Sequence, residues 1–264
     1  MRFTAELAGV PVEIHCEYPE NRAFLRDYWT DRPPQAAVAP GPEDREEMRQ
    51  ALVRQEGAQD FAPWFLENNA LHWRLTERLT EYGVLLVHGS AVALDGAAYL
   101  FTARSGTGKS THTRLWRTRF PGAFMVNDDK PLLKVTEEGV LVYGSPWDGK
   151  HRLSRNTSVP LRAAAELYRD AANHVDPCAD PLGTLYQYAL RSRDPALMRR
   201  ILRLEGEIVR QVPFYRLGCN MDPAAAETAY AGMRQETRTV QMSAPAGAQA
   251  PALPSALPLG AERL

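Results

Sequence analysis

The stretch Ala103-Arg104-Ser105-Gly106-Thr107-Gly108-Lys109-Ser110 restricts the fold of this chain more than any other. An apolar segment, 97–102, runs into it, and a helix candidate leaves it from residue 110. Two glycines two positions apart let the backbone curl until successive N–H groups point at one spot, and the helix start adds its own unpaired N–H groups and the positive end of its dipole. The order fits the Walker A pattern with Ala103 in place of the first glycine: Lys109 is spaced to reach the β and γ phosphates, and the Ser110 hydroxyl is a ligand for Mg²⁺. A chance glycine-rich turn is the competing reading, and the strand before and helix after it favour the phosphate loop. A chain built around such a unit is α/β, and its expected ligand is a nucleoside triphosphate held by Arg104, Ser105, Gly106, Thr107, Gly108, Lys109, Ser110 and Thr111.

The second informative piece is Asn127-Asp128-Asp129, an apolar run closing on two carboxylates 19 and 20 positions after Lys109. That interval holds one short helix, 111–118, and a turn before the chain returns as the neighbouring strand, bringing the acids to the sheet edge that carries the loop. Adjacent residues at a strand end point in different directions, so one acid can hold Mg²⁺ while the other faces the attacking group. A solvated turn is the plain alternative. Around these pieces the pattern predicts hairpins: 91–101 turning at Asp95-Gly96, and 132–143 turning at Glu137-Glu138-Gly139, with a further short element at 160–169.

Net charge is −1, from 31 Lys plus Arg against 32 Asp plus Glu, so no global field binds nucleic acid or an anionic membrane, and any anion is held locally. Three scattered cysteines without C-x-x-C spacing point to a reducing compartment. The first residues lack a signal-peptide core and no run of 18 apolar residues occurs, so a cytoplasmic location is expected. Residues 1–82 read as an N-terminal extension. It comprises a strand or hairpin over 1–18, a proline-rich linker over 31–47 incompatible with helix or central strand, and an amphipathic helix over 62–82 on which Asn69 and His72 carry no special message. Residues 83–234 read as the catalytic domain, with a surface helix at 195–210 placing Leu197, Ile201, Leu204 and Ile208 on one face. Residues 235–264, rich in Ala and Pro, read as a disordered tail.

Phosphoryl transfer needs a phosphate cradle, a divalent ion, a carboxylate for the acceptor's proton and a cation for developing charge. Arg104, Lys130 and Lys150 are the candidate cations. Lys150 closes Gly144-Ser145-Pro146-Trp147-Asp148-Gly149, which reads equally as a substrate or nucleotide loop and as a structural turn anchored by Trp147. His88, before Gly89, reads either as a phosphate contact or as a structural residue. His112 lies either near the nucleotide or in solvent. His151, Arg152 and Arg155 form a basic run that either meets an acidic substrate or is solvated, and His15, His72 and His174 have no companions.

Over 84–160, the hairpin HGSAVALDGAAYLFTARSGTGKST followed by VNDD resembles the core of HPr kinase/phosphorylase and its relatives among the phosphoenolpyruvate-carboxykinase-like P-loop proteins. The resemblance implies a P-loop-containing α/β fold with a mixed sheet, β-hairpins and flanking helices. It implies ATP on the loop and transfer to a serine of a protein or peptide, with Asp128 as the base, Asp129 and Ser110 on Mg²⁺, and His88 near the phosphates. Thr111-His112-Thr113 stands where those kinases usually carry Glu, which marks a divergent branch. A homo-oligomer is compatible with this picture. An ATP-binding regulatory protein without kinase activity and a small-molecule kinase are the alternatives; a GTPase is disfavoured by the lack of an N-K-x-D motif.

Overall fold

Alternation in the first residues produces a hairpin, β1 (Arg2–Leu7) with β2 (Val10–His15), turning at Ala8 and Gly9, both at positive φ. After α1 (Pro19–Phe24) the chain adds β3 (Ala36–Val38) parallel to β2, then α2 (Pro42–Glu56) and α3 (Pro63–Leu79). The computed structural model describes residues 1–57 and 60–234, so the tail 235–264 lies outside the described residues.

The expected linker over 31–47 is therefore a strand followed by the start of a helix. The reason is positional: Pro42 occupies the first turn of α2, where a missing N–H costs no helical bond, and the Asp44 carboxylate accepts the Gly41 N–H at 2.7 Å. Pro33, Pro34 and Pro40 lie outside both elements.

The remainder follows as β4 (Val84–Leu86), β5 (Ser90–Leu94), β6 (Ala97–Thr102), α4 (Lys109–Arg119), β7 (Phe124–Asn127), β8 (Leu132–Thr136) and β9 (Gly139–Tyr143). It continues through β10 (Ser158–Arg169), β11 (His174–Pro177), α5 (Pro181–Tyr188), α6 (Pro195–Gln211), β12 (Phe214–Cys219) and α7 (Ala224–Met233). Both expected hairpins form, and Asp95 and Gly96 have the positive φ values of 52° and 78° that a primed turn requires.

These strands make a nine-stranded mixed sheet in the order β4-β8-β9-β10-β6-β5-β7, with β12 joined to β10 and β11 to β12. The 12-residue β10 ties the sheet together, since its start pairs antiparallel with β9 and its later part pairs parallel with β6 and β12. The strand after α4 is not the direct neighbour of the loop strand, as the spacing had implied: β5 separates β6 from β7, because the hairpin occupies one side of β6 and β10 the other. Being antiparallel to both, β5 still leaves the C-terminal ends of β6 and β7 and its own N-terminal end on one edge.

Helices cover both faces. Along the hairpin, Ala91, Ala93, Ala98 and Leu100 join the layer of α5 and α6, while Val92, Leu94, Tyr99 and Phe101 join the layer of α4 and α7. Burial on both faces explains why this segment reads as continuous apolar sequence. A third cluster joins β1, β2 and α3 to Val84, Leu132 and Trp147, so the N-terminal extension shares a core with the rest. Lys134 donates to the Ala8 carbonyl at 2.9 Å across the same junction.

Helix α6 buries Leu197, Ile201, Leu204 and Ile208, as its periodicity predicts, each such side chain contributing about 1.5–3 kcal/mol. It also buries Glu205, both of whose carboxylate oxygens lack a hydrogen-bond partner among the described residues. Burial pushes this acid up to about 7, with the charge of Arg191 opposing. A raised folded pKa means that the folded chain binds more protons between pH 4.5 and 7, so stability falls by about 1.4 kcal/mol per unit as pH rises through that window. Glu205→Gln removes the titration. Its Tm relative to the parent is expected to rise between pH 5 and pH 8, and a difference independent of pH would refute the assignment.

Candidate functional site

The loop between β6 and α4 has Gly106 at φ 75° and Gly108 at φ 130°, a conformation that L side chains rarely adopt, and Gly108 caps the helix. Thr107 N–H donates to the Arg104 carbonyl at 3.2 Å, closing the turn. Lys109 sits in the first turn of α4; its Nζ donates to the Ala103 carbonyl at 2.8 Å and lies 3.2 Å from His88 Nε2. Arg169, the last residue of β10, grips the loop from the adjoining strand, donating to the carbonyls of Gly106 at 2.7 Å and Thr107 at 3.3 Å. Those bonds occupy the Gly106 and Thr107 carbonyls.

The paired acids lie just past β7 and differ in surroundings. Asp129 is within 3.2 Å of His88 Nδ1 and 3.9 Å of Lys130 Nζ. Burial acts to raise its pKa, yet the hydrogen bond from His88 and the charges of Lys130, His88 and Lys109 prevail, so its carboxyl is held below the usual range. Because Lys109 can only donate to Nε2, the imidazole of His88 fits the tautomer that donates from Nδ1 to Asp129. The residues Asp129, His88 and Lys109 thus form one chain of contacts ending at the loop. Lys130 is pushed down by burial, against the pull of Asp129.

Asp128 instead accepts the Gly149 N–H at 2.6 Å and is 8% exposed, opening on a cleft of about 530 Å³. Ser110, Thr111, Arg114 and Arg117 of α4 line that cleft, as does His151. Gly149 lets the backbone approach the acid closely: a Cβ there would stand 2.7 Å from Asp128 Oδ2 and the carboxylate would have to shift. The segment 144–150 is a turn anchored by Trp147, which is buried against Phe24 and His72, and its Gly149 N–H also donates to Asp128.

Asn127 organises the turn between strand and acids. Its Oδ1 accepts the N–H groups of Asp129 and Lys130 at 2.9 and 2.6 Å, and its Nδ2 donates to the Ser145 and Trp147 carbonyls at 3.2 and 3.3 Å. Trp147 Nε1 donates to Asn68 Oδ1 at 3.0 Å, Asn68 to Asn21 at 2.9 Å, and Asn21 to Glu67 at 2.7 Å. A buried polar relay therefore runs from the acids into the N-terminal extension.

Of the expected residues, His88, Lys109, Ser110, Asp128 and Asp129 meet at one edge of the sheet with the glycine loop. Arg104 is exposed on the loop. Lys150 is exposed and outside the cleft lining, where His151 stands instead. His112 is neither near the loop's anion face nor in solvent: it is buried beneath α4, accepting from Trp116 Nε1 at 3.0 Å and packed edge-on to Phe101, and burial lowers it to about 4. Helical spacing accounts for this, since His112 and Trp116 share the inward face while Ser110, Arg114 and Arg117 share another. That second spacing was readable in the sequence. Arg169 carried no sequence signal, because only strand pairing brings it beside a loop more than 60 positions away.

Asn127→Ala leaves the N–H groups of Asp129 and Lys130 and the Ser145 carbonyl without the Asn127 side chain, while the Trp147 carbonyl keeps the Ser145 hydroxyl. It is expected to cost about 2–3 kcal/mol in urea unfolding; a loss under about 0.5 kcal/mol would contradict the organising role.

No family model matches the chain, and no curated protein matches it. Among solved structures, the Hpr(Ser) kinase/phosphatase from Coxiella burnetii is similar over 56% of this chain and 95% of its own, at 14% identity and a TM-score of 0.34. A likeness of that size assigns neither family nor activity to this chain.

Proposed function

We propose that this chain is an ATP-dependent phosphotransferase that carries the γ-phosphoryl group of ATP to a hydroxyl, the acceptor being a serine of a protein or peptide. The observation that supports this best is the divergence of two adjacent carboxylates: Asp129 joins His88 and Lys109 at the glycine loop, and Asp128 opens on the cleft beside Ser110. One acid is thereby committed to the phosphate side and the other is left for an acceptor. The same arrangement agrees with an HPr-kinase-like mixed sheet carrying a phosphate loop.

In this reading backbone N–H groups of the glycine loop and of the start of α4, with the Lys109 ammonium, bind the β and γ phosphates. Ser110 and the ionised Asp129 are hard oxygen donors, a set that suits Mg²⁺ with phosphate oxygens and water completing its shell. Bound there, the ion would neutralise charge on the β and γ oxygens. Asp128 takes the proton of the serine hydroxyl as the new oxygen–phosphorus bond forms and the bond to the β-phosphate oxygen breaks, releasing ADP. Gly149 N–H holds the Asp128 carboxylate in place, and His88 holds Asp129 and Lys109 in register.

Lys109→Ala is expected to weaken ATP binding by about 10–100-fold, the worth of a lost charge-assisted contact. Asp128→Asn is expected to lower phosphoryl transfer by about 10²–10⁴-fold. Calorimetric titration with Mg-ATP and mass spectrometry of serine-containing peptides measure the two. The absence of any phosphorylated product, or an Asp128→Asn protein as active as its parent, would leave only a nucleotide-binding protein.

A further inference from the structure

We infer that the cleft beside Asp128 selects an acidic peptide, with a carboxylate two or three residues from the accepting serine, and that Arg114 and Arg117 read it. The identity of the occupant as acceptor rests on the phosphotransferase reading; the preference for an acidic segment rests on the cleft itself.

Two guanidinium groups and the His151 imidazole line this cleft against one carboxylate, Asp128. In a chain of net charge −1 this is a local excess of positive groups. Arg74 is paired with Asp44 and Glu77, Arg78 with Glu81 and Arg119 with Glu227, whereas Arg199 and Arg203 of α6 are exposed and, among the described residues, have no carboxylate at ion-pair distance. Among the described residues neither Arg114 nor Arg117 has a carboxylate partner, and Arg117 Nε is buried without a hydrogen-bond acceptor. A buried donor of that kind is costly unless something supplies the acceptor, and the planar guanidinium fork matches a carboxylate in two parallel bonds.

Position separates these arginines from the phosphate cradle. Arg117 lies seven residues beyond Ser110 on the same helix, roughly 10 Å along its axis at 1.5 Å per residue. An extended peptide covers that distance in about three residues. Asp128 lines the cleft together with Ser110, the near end of that span, so with the serine hydroxyl at Asp128 a carboxylate two or three positions away is of the right reach for the arginines. His151, exposed and also in the cleft lining, adds a further polar group there.

The test uses the full chain and three fluorescent peptides alike except at the positions two and three residues from serine, which carry Asp, Asn or Lys. Anisotropy reads binding without turnover, and mass spectrometry after Mg-ATP reads transfer. The Asp peptide is expected to bind at least tenfold more tightly than the Asn peptide, and the Lys peptide least. Arg114→Glu changes an exposed residue, and Arg117→Met keeps much of the side-chain volume; either is expected to reduce the preference to about twofold or less. Equal affinities, no binding of the Asp peptide, or a preference that survives both substitutions overturns the inference. So does a parallel loss of ATP binding in the two variants, which would give the arginines to the nucleotide. Selective binding without any phosphorylated product would instead uphold the acidic cleft and sink the phosphotransferase reading alone.

Discussion

The pairing of β5 with β6 on one side and β7 on the other is the constraint from which the site follows. Antiparallel ladders on both sides of one strand place the end of β6, the start of β5 and the end of β7 on a common edge. The glycine loop, His88 and the two acids leave the sheet at these three points. The side-chain chain Asp129–His88–Lys109 then needs no unusual backbone beyond the loop glycines, since each residue steps off its strand where the next can be reached. Parallel pairing of β10 with β6 adds Arg169 to the same edge, where it binds the Gly106 and Thr107 carbonyls.

Rigidity at this edge comes from buried polar groups as much as from apolar packing. Asn127 satisfies the N–H groups of Asp129 and Lys130 and reaches the 145–147 segment, whose tryptophan is tethered to Asn68 on α3. Such networks are costly if half satisfied and specific when complete. Here they join the acids to the N-terminal extension through Asn21 and Glu67, and the shared apolar cluster around Trp147 covers the same junction. Residues 1–82 are thereby packed against and hydrogen-bonded to the segment that contacts the acids.

Much of the local structure was legible. Period-two alternation gave the first hairpin, Asp95-Gly96 gave the second, and the apolar stripe of α6 gave its buried face. The sequence is ambiguous where one residue type has two uses. Proline density over 31–47 implies a helix-free linker, yet Pro42 begins a helix. His112 in the first turn after the loop suggests a ligand or a solvated side chain, whereas its spacing to Trp116 sends it into the core. Glu205 was hidden among the charges of α6, because amphipathic periodicity marks the apolar face but does not reveal an acid buried beside it.

By itself the sequence determined which short segments could exist: a strand, a glycine curl and a helix start in that order, and two acids at the end of another apolar run. Those are local matters of backbone freedom, side-chain period and charge, carried by neighbours along the chain. Tertiary structure alone decided that β5 lies between the loop strand and the acid strand, that Asp128 and Asp129 face different surroundings, and that Arg169, Gly149 and Trp147 support them. The reason is that strand order and loop closure join residues far apart in the chain, and such contacts are fixed by burying both faces of one sheet at once rather than by any local preference.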